Sequence, residues 1–167
     1  VTVPDYSPAD GVGAWEILTE VDSIMAGLDP LPWQRNGSAN DQWTRVLGLL
    51  DQQQAKPDDH LRYNLAVQTM TPTGPVETQN AIEFETTIQV AWLFLAYPQQ
   101  QWESHLLALQ SAQAVRRAMM APDRFCFTGG AVRLVDVQDA FQPAANDGKA
   151  GLLITQTYRF RHLESVT

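Results

Sequence analysis

Glu83-Phe84-Glu85-Thr86-Thr87-Ile88-Gln89-Val90-Ala91-Trp92-Leu93-Phe94-Leu95 decides the fold. Phe84, Thr86, Ile88, Val90, Trp92 and Phe94 fall on one side, and Glu83, Glu85, Thr87 and Gln89 on the other. Alternation with period two, rich in β-branched and aromatic residues, is the pattern of a half-buried strand. Tyr97-Pro98 stops the run, because proline has no N–H for the ladder and restrains the residue before it. A helix is predicted directly afterwards, from about Gln100 to Ala121. Strand, break and helix together form one unit, with the helix laid back across the sheet.

The helix is unusual on a wheel. Its polar arc is narrow, made of Glu103, Gln110, Gln113 and Arg117. Trp102, Leu106, Leu107, Leu109, Ala112, Ala114, Val115, Ala118, Met119 and Met120 fill most of the rest. A helix apolar over more than half its circumference needs cover on two sides. Its own sheet is one cover. The first helix or a neighbouring subunit is the other.

Upstream, Ser7-Pro8-Ala9-Asp10 reads as a capping box, although Gly11 and Gly13 push the regular helix back to near Ala14. Ile17, Leu18, Val21, Ile24, Met25 and Leu28 then share one helical face, with Glu16, Thr19, Glu20 and Ser23 opposite. Gly27 and Asp29-Pro30 end it. Trp33 and Trp43 are isolated anchors, and Asp41 to Leu50 is read as a short helix. Gln52 to Asp59 is a polar connector. Leu61, Tyr63, Leu65 and Val67 alternate as a second strand. A polar excursion follows, with a turn cluster at Thr71-Pro72-Thr73-Gly74-Pro75, and is expected to protrude as a hairpin tip.

Downstream, Gly129-Gly130 is a turn and Ala131 to Val137 a strand. Asn146-Asp147-Gly148-Lys149 is a strong turn signal. In the last strand, Leu152, Ile154, Tyr158 and Phe160 face inward, and Thr155, Thr157, Arg159 and Arg161 outward. The order helix-strand-strand-helix-strand-strand predicts a single α+β domain over 1–167. Its sheet is antiparallel or mixed, of about four strands, with the helices packed on one side.

Composition sets limits on function. The chain has 167 residues, enough for one domain with a proper core. No window approaches the roughly 20 apolar residues of a membrane span, and no secretory leader is visible at the start. A net charge of −8 argues against a dedicated binder of duplex nucleic acid. The single cysteine, Cys126, excludes an internal disulfide and is expected to be buried or structural. Nine of the eleven basic residues are arginine, the cation favoured at protein interfaces.

No motif for catalysis or metal binding stands out. His60, His105 and His162 are not spaced as ligands, and there is no HExxH, GxSxG, P-loop or GxGxxG. No catalytic, cofactor or metal residues are assigned. Glu83 and Glu85 pair on one polar face, and Arg159 and Arg161 have the same spacing on another. The simplest expectation is that the two pairs meet, within one sheet or across a subunit boundary. Arg116-Arg117 suits the negative end of the helix dipole, or else meets an acidic neighbour.

With these elements in place, the chain resembles the tail terminator proteins of long-tailed bacteriophages and the related tail-completion and neck proteins. The resemblance rests on the amphipathic first helix and on the arrangement from Leu61 to Leu163. It includes the strand Phe84-Glu85-Thr86-Thr87-Ile88-Gln89-Val90, the helix Trp102 to Met120 and the closing strand Thr155-Gln156-Thr157-Tyr158-Arg159-Phe160. The segment from Trp33 to Pro57 is longer than in that pattern. The resemblance implies a structural virion protein, not an enzyme. It would form a ring of about six copies that caps the tail tube and presents a face to the head connector or neck proteins. Its place would be the head-proximal end of the tail, after assembly in the host cytoplasm. Glu83, Glu85, Arg116, Arg117, Arg159 and Arg161 are then candidates for the subunit interface, together with the outer face of the second helix. Thr73, Gly74, Glu77 and Gln79 are candidates for contact with the tail tube. Two readings from other classes compete. One is a small acidic hydrolase using Glu83, Glu85 and Asp58-Asp59-His60. The other is a monomeric ligand-binding module.

Overall fold

The computed structural model describes residues 11–31, 42–46, 61–73, 81–95, 101–146 and 149–165. In chain order the elements are α1 (Ala14–Ala26), β1 (Thr44–Arg45), β2 (Arg62–Pro72), β3 (Ala81–Leu95), α2 (Gln101–Met119), β4 (Cys126–Phe127), β5 (Gly130–Ala131), β6 (Arg133–Asn146) and β7 (Lys149–Ser165). The main sheet is five-stranded, in the order β1-β2-β3-β7-β6. All neighbours run antiparallel except β1, which lies parallel to β2. Two helices packed on this mixed sheet make an α+β domain.

The organising strand sits at the centre. β3 pairs with β7 continuously from Ala81↔Ser165 to Leu95↔Gly151. Thr86, Ile88, Val90, Trp92 and Phe94 are buried, as are Ile154, Tyr158 and Phe160 across from them. Their side chains merge with Ile17, Val21, Ile24 and Met25 of α1 and Ala108, Ala112, Val115 and Met119 of α2 into one core. Both helices therefore cover the same face. Burying a side chain such as Ile17 or Ile24 contributes about 1.5–3 kcal/mol.

Four expectations need correction. The segment read as a short helix from Asp41 contributes β1 instead, with Thr44 and Arg45 in register with Arg62 and Tyr63. Trp43 is the anchor there: its ring meets Trp92 edge-on at 5.8 Å and holds the segment to the sheet. The sheet thus gains a fifth strand. β6 runs on to Asn146 rather than ending near Val137, through Pro143. Proline is tolerated because β6 is the edge of the sheet. The turn cluster begins two residues later than expected, since Thr71 and Pro72 still pair with Glu85 and Phe84. Finally, Cys126 is exposed. It sits in a two-residue strand whose inward neighbour is the buried Phe125, so the thiol is turned away from the core.

The start of α1 lies where the glycines imply, at Ala14 with Gly13 before it. Gly13 N–H donates to Glu16 Oε2 at 2.7 Å, and Ala14 N–H donates to Glu164 Oε1 of β7 at 3.1 Å. The Ser7–Asp10 capping box lies outside the described residues. β6 stops pairing at Arg133↔Arg161, and Val12 N–H takes over β7's open edge by donating to the Leu163 carbonyl at 2.7 Å. His162 locks this join from below. A carbonyl only accepts, so Nδ1 carries a proton toward Val12 O at 2.7 Å, and Nε2 meets the Thr86 hydroxyl at 2.6 Å. The turn at Gly129 packs against the same segment. A Cβ there would lie 2.1 Å from the Gly11 carbonyl oxygen, which only glycine avoids.

Candidate functional site

Helix α2 has an inverted distribution of residue sizes. Toward the sheet it presents Ser104, Ala108, Ser111, Ala112, Val115 and Met119, all buried. Toward the outside it presents Trp102, Leu106, Leu109 and Met120, which are 68%, 42%, 41% and 58% exposed. At about 100° per residue the outward four lie within one narrow stripe that also carries Gln113 and Arg117.

The small residues have a structural purpose. They let α2 approach the sheet closely enough for side chains to reach its backbone and hydroxyls. The Trp92 indole N–H donates to Ser111 Oγ at 3.1 Å. Gln156, fully buried on the inner face of β7, donates through Nε2 to the Ala112 carbonyl at 2.7 Å. Tyr158 completes the chain by donating its hydroxyl to Gln156 Oε1 at 2.5 Å. Burial, followed by the nearby Asp139 charge, pushes the Tyr158 phenol pKa upward, with Arg116 opposing. Arg116 reaches down from α2 to the Asp139 carboxylate on β6. Every inward polar group on this path has a partner, as buried polar groups require.

The polar outer face of the sheet is organised around Glu85. Arg161 stands directly opposite it across β3 and β7, with Nε 3.3 Å from Glu85 Oε2. Arg159 Nε lies 3.5 Å from Glu85 Oε1, and its NH2 group lies 3.7 Å from Asp136 on β6. The expected meeting of the glutamate and arginine pairs therefore occurs within one sheet, and of the two glutamates Glu85 is the one that faces the arginines. Glu83 is engaged elsewhere: the Thr73 hydroxyl donates to its Oε1 at 2.6 Å. Exposed pairs of this kind contribute about 0–1 kcal/mol each. Both Glu85 oxygens face arginines, so Glu83 and Glu85 are held by different partners. Asp58, Asp59 and His60 lie outside the described residues.

The remaining candidates divide as follows. Arg117 is exposed on the outward side of α2. Thr73 closes the described part of the β2–β3 hairpin through its N–H bond to the Glu83 carbonyl at 3.0 Å. Gly74, Glu77 and Gln79 lie outside the described residues. His105 sits beside the stripe, stacked on Trp102 at 6.5 Å and tilted toward Phe141 at 6.4 Å.

At the C-terminal end of α2 a cleft of about 570 Å³ opens between the helix and edge strand β6. Met119, Met120, Phe125, Val132, Leu134 and Val137 give it apolar walls, and Arg116, Arg124 and Asp136 give it charge. Sequence reasoning did not foresee this cleft. Among the described residues, no three His, Cys, Asp or Glu side chains gather as a metal site. No described helix is long and apolar enough to cross a membrane. No protein-family model matches the chain, and no curated protein matches it.

Proposed function

We propose that this chain is a structural assembly protein that joins copies of itself into a closed ring. Its role is the one the sequence resemblance implies: terminating a long phage tail, capping the tail tube and offering a face to the head connector. The observation that carries the self-association is the outward stripe of α2. A helix that buries mostly alanines and serines while exposing a tryptophan and two leucines leaves large apolar side chains uncovered in the single copy. Contiguous exposed apolar patches of this kind mark interaction sites.

The tail-specific part rests on the resemblance. The ring contains about six copies, with heterologous contacts between neighbours. The hairpin from Thr73 to Gln79 meets the tail tube. The net charge of −8 keeps the free protein soluble and turns it away from nucleic acid. The particle belongs to the head-proximal end of the virion tail and forms in the host cytoplasm.

Light scattering on a sizing column, with negative-stain imaging of the same peak, tests the ring. A particle of several copies with a central opening supports it, and a strict monomer at all concentrations overturns it. Removing Thr73–Gln79 is expected to leave the ring intact and abolish tube capping. Normal capping by that deletion would sink the hairpin assignment. The cleft at the end of α2 favours a second reading, a monomeric ligand-binding module, which requires the monomer outcome.

A further inference from the structure

We propose that the first two turns of α2 in one copy, carrying Trp102, Glu103 and Leu106, seat in the cleft at the C-terminal end of α2 in the next copy. This contact rests on the ring reading above and specifies which two surfaces make it.

The two surfaces are complementary in shape and charge. The first is a knob: the Trp102 ring is largely exposed, followed by Glu103, which is exposed, and Leu106 one turn on. The second is a hole walled by Met119, Met120 and Phe125 from one side and by Val132, Leu134 and Val137 from β6. Methionines suit such a seat because their unbranched side chains adapt to the ring they receive. The acidic residue of α2's first turn and the basic residues of its last turn are at opposite ends of one helix. Glu103 would face Arg124, which lines the cleft and is exposed.

The backbone around the cleft is shaped for it. Phe125 adopts a positive φ of 58°, which a bulky residue rarely holds. Its ring is fixed against Phe160 at 4.7 Å. On the other wall the β6–β7 register shifts between Leu134 and Asp136, a bulge that opens the edge strand. Strained residues and bulges concentrate at functional sites.

Knob and hole cannot satisfy each other within one chain. Trp102 and Met120 are roughly 27 Å apart along the helix. Contact between different patches on successive copies is the heterologous arrangement that closes into rings. The cleft also faces β6 rather than the outward crest of α2. An entering helix therefore crosses the edge of the sheet and does not lie antiparallel beside its twin.

The experiment uses the full chain with the native thiol removed (Cys126→Ser), and Glu103→Cys and Met120→Cys placed together or on separate chains. A short bis-maleimide is added to the native protein. Circular dichroism checks folding and light scattering checks the particle mass. Head-to-tail docking predicts a covalent ladder extending beyond the dimer for the double-cysteine chain. It also predicts cross-linking between the two single-cysteine chains when mixed, and little within either alone. A ladder that stops at the dimer overturns the proposal in favour of two-fold pairing of α2. Absence of cross-links in a particle that keeps its multi-copy mass overturns the proposal and leaves the ring standing. A folded monomer overturns both.

Discussion

Helices α1 and α2 cover the same face of the same sheet, yet the residues they bury differ in average size. α1 buries Ile17, Val21, Ile24 and Met25 and turns Thr19 and Ser23 outward, with Trp15 at its start 44% exposed. Apart from Trp15, its apolar stripe is taken up by its own core. α2 buries Ser104, Ala108, Ser111 and Ala112 beside Val115 and Met119, and leaves Trp102, Leu106 and Leu109 outside. Both are tied to the sheet by a tyrosine. Tyr63 donates to Asp22 Oδ1 of α1 at 2.7 Å, and Tyr158 acts through Gln156 on the Ala112 carbonyl of α2. The difference is that the apolar face of α1 is mostly used by the fold, whereas α2 keeps three large apolar side chains exposed on the side away from the sheet.

The largest expected effect comes from pH, and it strikes both helices. The Tyr63 phenol pKa is raised by burial, then by its hydrogen bond to Asp22 and the charge of that carboxylate, against a lowering by Arg45. The Tyr158 phenol is raised as well, chiefly by burial. Below the unfolded phenol value of about 10, both states hold the protons and these groups add no pH dependence. Above it, the unfolded chain releases protons that the folded chain retains, so stability falls as pH rises. Denaturant melts at stepped alkaline pH are expected to show this decline, and Tyr63→Phe and Tyr158→Phe each to reduce it. A flat profile above pH 10 would contradict both tethers.

Ile24→Ala in α1 is expected to cost about 2–5 kcal/mol in chemical denaturation, the usual range for emptying a well-packed site. At temperatures where the variant is folded, its self-association should be unchanged. Ala112→Leu in α2 acts the other way, by overfilling a close contact, with an expected loss of about 1–3 kcal/mol. If Ala112→Leu were neutral, the close approach of α2 to Gln156 and Trp92 would be wrong. Smaller still is the outer-face pair. A double-mutant cycle on Glu85→Ala and Arg161→Ala should give a coupling of about 0.2–1 kcal/mol, as for other cross-strand charge pairs. Zero coupling would reduce it to a geometric coincidence.

These contrasts also show what a sequence can display. The strand from Phe84 to Phe94 was legible because from Thr86 to Trp92 one face is buried and the other only partly covered, and the alternation records that directly. α1 was legible for the same reason at helical spacing. For α2 the element and its bounds were readable, but its orientation was not. Both halves of its wheel are apolar, so hydrophobicity alone does not say which half meets the sheet. Residue size held the signal: Ser104, Ala108, Ser111 and Ala112 are spaced as one face, and only small residues permit contact at that distance. β1 was missed because two residues carry no period, and its position is set by Trp43 packing on Trp92. The buried Gln156 and His162 were unreadable as well. A polar residue on an inward strand position declares itself only when its partners, here the Ala112 and Val12 carbonyls, are in place. The charged candidates were half legible. Spacing identified Glu85, Arg159 and Arg161, but not that Glu83 would turn to Thr73 or that Arg116 would turn to Asp139.

The most direct test is the native mass of the wild-type chain beside a Trp102→Ser, Leu106→Ser, Leu109→Ser variant, by light scattering over a range of concentrations. Surface positions of this kind change stability by only about 0.5 kcal/mol each, so the variant should fold normally. The wild type is expected as a particle of about six copies and the variant as a monomer with the same circular dichroism. A variant that keeps the wild-type mass, or a wild type that is monomeric throughout, would contradict the assignment of α2's outward stripe as the assembly surface.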